Sequence, residues 1–290
     1  MDKYGLIGWP IEHSRSPRLF AAAYGGAYPY DLIEGKYFEA SYSRFLREYK
    51  AINVTAPFKE QAFERADIVS GPAALIGAAN ILVNTPDGVS AHNSDFTGVI
   101  LSIAEELWPG IVDEFYGTFG AQGHVKVHQF ARAQLVSRYG RKPSALVVGI
   151  GGAGKAAAIA AAEMGYGVSI MNRTFDKASA FAEGLPEYGF SVLALSDLRT
   201  ALRSTDLLIY TLPVALPEIT GSSAEDFAAR PIILEANYRN PAFSSLLLAR
   251  ALDGGARYIS GITWNTLQAL SGYSLMTGQV PDFTALLAVK

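Results

Sequence analysis

The sequence predicts an α/β protein of two domains, the first on a mixed sheet and the second, of Rossmann type, on a parallel one. Three observations carry this. Short β-favouring apolar runs alternate with helix-favouring segments along most of the chain, the pattern of layered α/β proteins. Pro86-Asp87-Gly88 separates Ile81–Val83 from Val89–His92 and predicts a hairpin, hence an antiparallel pair within the first sheet. Finally, Ser144-Ala-Leu-Val-Val-Gly-Ile-Gly-Gly-Ala-Gly-Lys155 places an apolar strand, a glycine turn and the small-residue run Ala156–Ala162 in the order of a Rossmann-type βα unit.

With 290 residues the chain is long enough for two cores. Half of its residues are apolar and its formal net charge is −3, which argues against nucleic acid or an anionic membrane as the main partner. There is no cysteine, so disulfides, thiolate metal sites and cysteine nucleophiles are excluded. The histidines (His13, His92, His124, His128) show no metal-ligand spacing, and no metal is expected. The first residues lack the basic and apolar regions of a signal peptide, and no apolar run reaches the ~18 residues of a membrane span, so the expected location is cytoplasmic.

Taken in order, Tyr4–Trp9 reads as a buried strand and Pro10–Pro17 as a loop into a helix beginning near Arg18. Ser16 before Pro17 fits an N-cap; Ser14 is less well explained by capping, and two hydroxyls at a helix start would also make a carboxylate-binding corner. Tyr30–Ile33 follows as a strand and Tyr42–Tyr49 as a helix with apolar spacing. Ala51–Pro57 is a strand running into a helix that starts at Phe58 and Lys59, which places Thr55 and Lys59 at a carboxyl edge where ligands bind in such sheets. After the hairpin, Asn93-Ser94-Asp95 precedes the helix Phe96–Leu107; local chemistry favours a capping role for Ser94 or Asp95 and a solvated one for Lys59.

In the second domain the candidate cofactor-binding residues are Gly149, Gly151, Gly152, Ala153 and Gly154: a tight turn, a close backbone approach to a pyrophosphate and a close helix–strand contact. Gly167–Met171 reads as the next strand. An NAD-selective site carries Asp or Glu roughly 20 residues beyond the glycines. Here Asn172 replaces the acid and Arg173 supplies a cation suited to a 2′-phosphate, which predicts NADP. Leu207–Thr211, Ile232–Ala236 and Tyr258–Ile259 are further strands, with a helix over Phe243–Leu252.

Read together, Gly5-Leu-Ile-Gly8, His13-Ser-Arg-Ser-Pro17, Asn53-Val-Thr-Ala-Pro-Phe-Lys59, Ile76-Gly-Ala-Ala-Asn80, Asn93-Ser-Asp95 and Gly98 form an ordered set that resembles the shikimate dehydrogenase family. The resemblance resumes at the glycine loop, at Asn172-Arg-Thr174, at Tyr238 and at Gly261–Gln268, and so covers almost the whole chain. It implies that Ser14 and Ser16 bind a substrate carboxylate with Tyr238 nearby, and that Thr55, Asn80 and Gln268 surround the ring hydroxyls. Lys59 and Asp95 are implied as the catalytic pair, and Thr174 and Gly261 as further cofactor contacts. Family members reversibly reduce 3-dehydroshikimate to shikimate with NADPH in aromatic amino-acid biosynthesis. Hydride delivered to a ketone builds alkoxide charge, which a placed ammonium can stabilise and protonate, with a carboxylate beside it binding the adjacent hydroxyl. A close pair titrates jointly, so the formal acid is left open.

The implied domains are 1–104 with 264–290 for substrate, and 105–263 for NADP. Residues 108–142, with a helix near Val127–Tyr139, read as an insertion, a lid or an oligomer contact, in a monomer or homodimer. Several positions depart from the family pattern. Tyr210-Thr-Leu-Pro-Val-Ala215 stands where the family has Asn, a small residue, Thr-Pro and Gly; Trp264 replaces a methionine, and Glu235 an aspartate. A quinate- or shikimate-oxidising relative, and a relative that binds the ligand without turnover, are the alternatives.

Overall fold

A computed structural model describes residues 1–289. The chain divides into two compact units, one of residues 1–98, 113–124 and 266 onward, the other of residues 99–112 and 125–265.

The first unit holds a six-stranded mixed sheet of β1 (Tyr4–Gly8), β2 (Tyr30–Glu34), β3 (Ala51–Val54), β4 (Ile68–Val69), β5 (Ile81–Thr85) and β6 (Gly88–His92), in the order β2-β1-β3-β5-β6-β4. Strands β1, β2 and β3 are parallel, while β5 runs antiparallel to both β3 and β6. Register then decides which loops meet. Asn53 pairs with Ile81 and Ile81 with His92, so the start of β5 lies beside the ends of β3 and β6. The loops after β1, β3 and β6 and the residue before β5 therefore gather at one edge.

Helix Phe38–Glu48 begins a turn earlier than its Tyr42 start predicted, because Phe38 extends the stripe of Tyr42 and Phe45. That stripe packs on Ile7, Ile52, Val54 and Leu82 to form the unit's core. Removing such apolar area from water stabilises by roughly 25 cal/mol per Å².

The second unit holds six parallel strands: β7 (Ser144–Val148), β8 (Gly167–Met171), β9 (Ser191–Leu193), β10 (Leu207–Tyr210), β11 (Ile232–Glu235) and β12 (Arg257–Ile259). Their order, β12-β11-β10-β7-β8-β9, reverses direction at β7. This is the doubly wound arrangement, with its ligand-binding switch point outside the carboxyl end of β7. Helix Gly152–Met164 follows β7, and its alanines from Ala156 to Ala161 are all buried, which lets the helix lie close on the sheet.

Residues 108–142 form helices Ile111–Phe119 and Gly123–Tyr139 joined by a short turn at Gly120–Gln122. Within the second, Val127, Ala131 and Leu135 are buried at four-residue spacing, and Arg132 pairs with Glu163 at 3.1 Å. Among the described residues, no helix is long and apolar enough to cross a membrane.

Candidate active site

Strand β6 ends at His92, and Asn93 leads into the helix Ser94–Leu107. The side chain that caps this helix is Asn93. Its Oδ1 accepts the backbone N–H of Asp95 at 3.0 Å and that of Phe96 at 3.4 Å, while its Nδ2 donates to the Ala78 carbonyl at 2.9 Å. This corrects the expectation that Ser94 or Asp95 does the capping, and it lets the Asp95 carboxylate point elsewhere. Asp95 Oδ2 accepts from Lys59 Nζ at 2.5 Å and its Oδ1 from Asn80 Nδ2 at 3.0 Å. The carboxylate is almost wholly buried, whereas the Lys59 side chain keeps 22 % of its surface exposed. Lys59 is thus not the solvated surface cation that local chemistry suggested.

Asn80 is fixed from both sides. Its backbone N–H donates to the His92 carbonyl at 3.0 Å and its carbonyl accepts from Val54 N–H at 2.8 Å. Its Oδ1 accepts from Ser94 N–H at 2.8 Å, so the side chain cannot rotate without breaking a buried bond. Lys59 opens the helix Lys59–Glu64, and its carbonyl accepts from Ala79 N–H at 2.8 Å. An ammonium with one partly exposed face, backed by a buried carboxylate and a locked amide, can both stabilise and protonate a developing alkoxide.

At the same edge, the loop after β1 carries Ser14 and Ser16. Ser14 Oγ donates to Ser16 Oγ and accepts from Ser16 N–H, both at 3.2 Å. Ser16 is the first helical residue and not the N-cap that Pro17 suggested; the N-cap position is held by Arg15, whose side chain makes no capping bond, and the first helical N–H is taken by Ser14. Behind this corner Tyr273 donates to the Ser16 carbonyl at 3.2 Å and Tyr30 to Asn53 Oδ1 at 2.8 Å. Burial pushes both phenols well up, so they act as fixed donors. Arg15 turns away from the corner, its Nη2 donating to the Val289 carbonyl at 2.7 Å.

Thr55 follows β3, its N–H bonded to the Ile7 carbonyl at 2.9 Å. Gln268 lies on helix Gly261–Thr277, one turn before Gly272. A Cβ at Gly272 would sit 2.9 Å from Ile81 Cδ1 and 3.0 Å from Ser94 Oγ, so this helix face looks onto the Asn80–Asp95 edge. Tyr238 belongs to the second unit, where it follows β11.

In the second unit the glycine loop leaves β7 and enters helix Gly152–Met164. Gly149 sits at φ +97°, and a Cβ on Gly154 would lie 1.9 Å from the Gly149 carbonyl oxygen, so both positions demand glycine. Gly151 has nothing within 4 Å on its Cβ side, leaving open space at the helix N-terminus, where the first-turn N–H groups and the helix dipole favour a phosphate. Asn172 accepts from Ile150 N–H at 3.1 Å and donates to the Thr174 carbonyl at 3.0 Å, bracing the loop where an NAD enzyme would present an acid. Arg173 and Thr174 beside it are exposed. These residues fit NADP: a helix start for the pyrophosphate, and a cation with no carboxylate at the end of β8. Gly261 opens its helix against the end of β11, where a Cβ would meet the Ala236 carbonyl oxygen at 2.7 Å.

Family models described as the shikimate dehydrogenase substrate-binding domain and as shikimate/quinate 5-dehydrogenase match residues 6–82 and 132–233. Together they span more than half of the chain. It belongs to the shikimate dehydrogenase family. A shikimate dehydrogenase (NADP+) of Halorubrum lacusprofundi is 30 % identical over 96 % of this chain and 94 % of its own length. The crystal structure of Mycobacterium tuberculosis shikimate dehydrogenase is 28 % identical, covers 100 % of this chain and 98 % of its own, and superposes with a TM-score of 0.75. That of the Thermus thermophilus enzyme in complex with NADP(H) and shikimate is 27 % identical, covers 99 % and 97 %, and gives 0.74.

Within this shikimate dehydrogenase family member, sequence reasoning overlooked Asn93 as the cap and Tyr30 and Tyr273 behind Ser16. The cap had a signal, since asparagine is among the preferred capping residues. The two tyrosines had none, because only the tertiary fold brings them to Ser16.

Proposed function

We propose that this protein catalyses the reversible NADPH-dependent reduction of 3-dehydroshikimate to shikimate. The Lys59–Asp95 pair, held by Asn80 at the carboxyl edge of the mixed sheet, carries this reading. NADPH supplies the hydride chemistry. The chain's own residues do the rest. Ser14 and Ser16 take the substrate carboxylate. Lys59 Nζ stabilises the oxygen that gains charge and provides its proton, and Asp95 holds Lys59 in place and accepts from the adjacent ring hydroxyl. Thr55, Asn80, Gln268 and Tyr238 complete the grip on the substrate. On the cofactor side, Gly149 to Gly154 take the pyrophosphate, Arg173 with Asn172 and Thr174 the 2′-phosphate region, and Gly261 is a further cofactor contact.

Residues 1–104 and 264–290 form the substrate domain and 105–263 the cofactor domain, which contributes Tyr238 to the substrate, in a cytoplasmic monomer or homodimer with no nucleic-acid partner. The test is spectrophotometric: reduction of NADP+ on adding shikimate, run beside quinate and beside NAD+. The expected outcome is turnover with shikimate and NADP+ and much less with NAD+. A thermal shift with shikimate but no turnover would replace the reading with a binding role, and a preference for quinate would change the substrate.

A further inference from the structure

The segment after β10 is held by a side chain at its base. Tyr210 is fully buried, its ring edge-to-face on Phe243 with centroids 6.0 Å apart. Its hydroxyl donates to the Val214 carbonyl at 2.8 Å and accepts from Leu216 N–H at 3.0 Å. One phenol thereby closes residues 211–216 into a strap. The near end of the strap is tied to the glycine loop, because Thr211 Oγ1 lies 3.0 Å from the Val148 carbonyl oxygen and 3.1 Å from that of Gly149. Leu212 rests against the same turn: a Cβ on Gly149 would meet Leu212 Cδ2 at 2.8 Å. On its other side, Asn237 Nδ2 donates to the Pro213 carbonyl at 3.3 Å, next to Tyr238.

We infer that Tyr210 is a positioning residue for dinucleotide binding, acting through the strap that it holds against Gly149. The inference rests on the NADP-binding reading of the glycine loop. The strap's outer residues, Pro213, Val214 and Ala215, are exposed and make no core of their own. Their path is fixed by the two-point bond to the phenol together with the Asn237–Pro213 bond, and the phenol's share sets how closely Leu212, which also packs on the unit's core, walls the glycine turn. Without the hydroxyl the carbonyl of Val214 and the N–H of Leu216 turn to water, and the strap loses its fixed distance from Gly149. The pre-organised cofactor cradle becomes one that must be ordered on binding.

The experiment is titration of NADP+ into the full-length protein, followed by calorimetry or by quenching of intrinsic fluorescence, for the wild type, Tyr210→Phe and Leu212→Ala. Tyr210→Phe keeps the buried ring, so the unfolding midpoint should move little. The NADP+ Kd should rise up to about tenfold, the scale of re-ordering a freed segment on binding. In steady state the KM for NADPH should rise while that for 3-dehydroshikimate holds, a split that general loosening of the fold would not produce. Leu212→Ala removes the side chain that walls the glycine turn, along with its packing on the unit's core, and should weaken NADP+ in the same direction, which gives the inference a second variant should Tyr210→Phe fold poorly. Unchanged NADP+ affinity in the two variants, beside a wild type that binds, would overturn the inference and leave the function intact. Absence of NADP+ binding by the wild type would remove both.

Discussion

Lys59 and Asp95 are each ambiguous until their neighbours are known. An aspartate shortly after the end of a strand and at the start of a helix has every local reason to cap, and a lysine in a first helical turn every reason to face water. Asn93 decides the first by accepting the helix N–H groups itself, and the β3–β5–β6 register decides the second by carrying Lys59 to the Asp95 carboxylate. For this reason Lys59→Met, which keeps the stem and deletes the ammonium, should lower kcat by about 10²- to 10⁴-fold, the usual scale of a lost acid–base group. Circular dichroism should stay unchanged and the KM for shikimate should rise only modestly. Near-normal turnover would take Lys59 out of the chemistry.

At the scale of elements, loops are aimed by anchors that touch no ligand. Asp226 is fully buried at the start of a short helical turn, accepting from Ser223 N–H at 3.0 Å and from Arg199 and Arg203 at 2.9 Å each. Burial by itself would raise its pKa; the Ser223 N–H and the two guanidinium groups outweigh that and hold it below the ordinary carboxyl value. Asp206, bonded to Arg141 and to Ser144 N–H, is held down in the same way against its burial. A carboxyl lowered by folding stabilises fully above its unfolded value of about 3.9 and ceases to do so as pH falls through the folded value. The second unit should therefore lose stability on acidification below about pH 4. Asp226→Asn should make that acid limb shallower while lowering the midpoint at neutral pH, as thermal unfolding across roughly pH 3 to 7 would show; an unaltered limb would remove Asp226 from the account. Glu235 has the opposite sign. It is buried behind the N–H groups of Ala242 and Phe243 and the Tyr258 hydroxyl, and burial raises its pKa, so its share is lost as pH rises through the folded value.

Across the whole molecule, each unit has a core of its own, Phe45, Ile52 and Leu82 in one and Leu146, Leu208 and Ile233 in the other. A ligand bound by the native state alone stabilises it by mass action, so NADP+ at about 100 times its Kd should add about 2.7 kcal/mol to the unit that binds it. Calorimetry with and without NADP+ should show the unfolding transition move upward, and NAD+ at the same concentration should move it far less. An equal response to the two nucleotides would count against Arg173 as the selecting group.

Much of this was legible in the chain itself. Strand and helix alternation, the hairpin at Pro86–Gly88 and the glycine turn after β7 are written in local patterns of period and turn chemistry, which act over a few residues. The family resemblance likewise rests on short ordered motifs. Helix starts fall earlier than the obvious signal at Phe38, where the buried stripe of Tyr42 and Phe45 extends by a turn, and at Ser94, where Asn93 caps just ahead of Phe96. What only the tertiary structure decided is which of two locally equivalent roles a polar residue takes. Asp95 pairs with Lys59 because Asn93 caps, and Ser16 is backed by Tyr30 and Tyr273 from distant segments. Each of those choices depends on register and burial, and a hydrogen bond between residues far apart in sequence leaves no mark on the stretch of chain around either one.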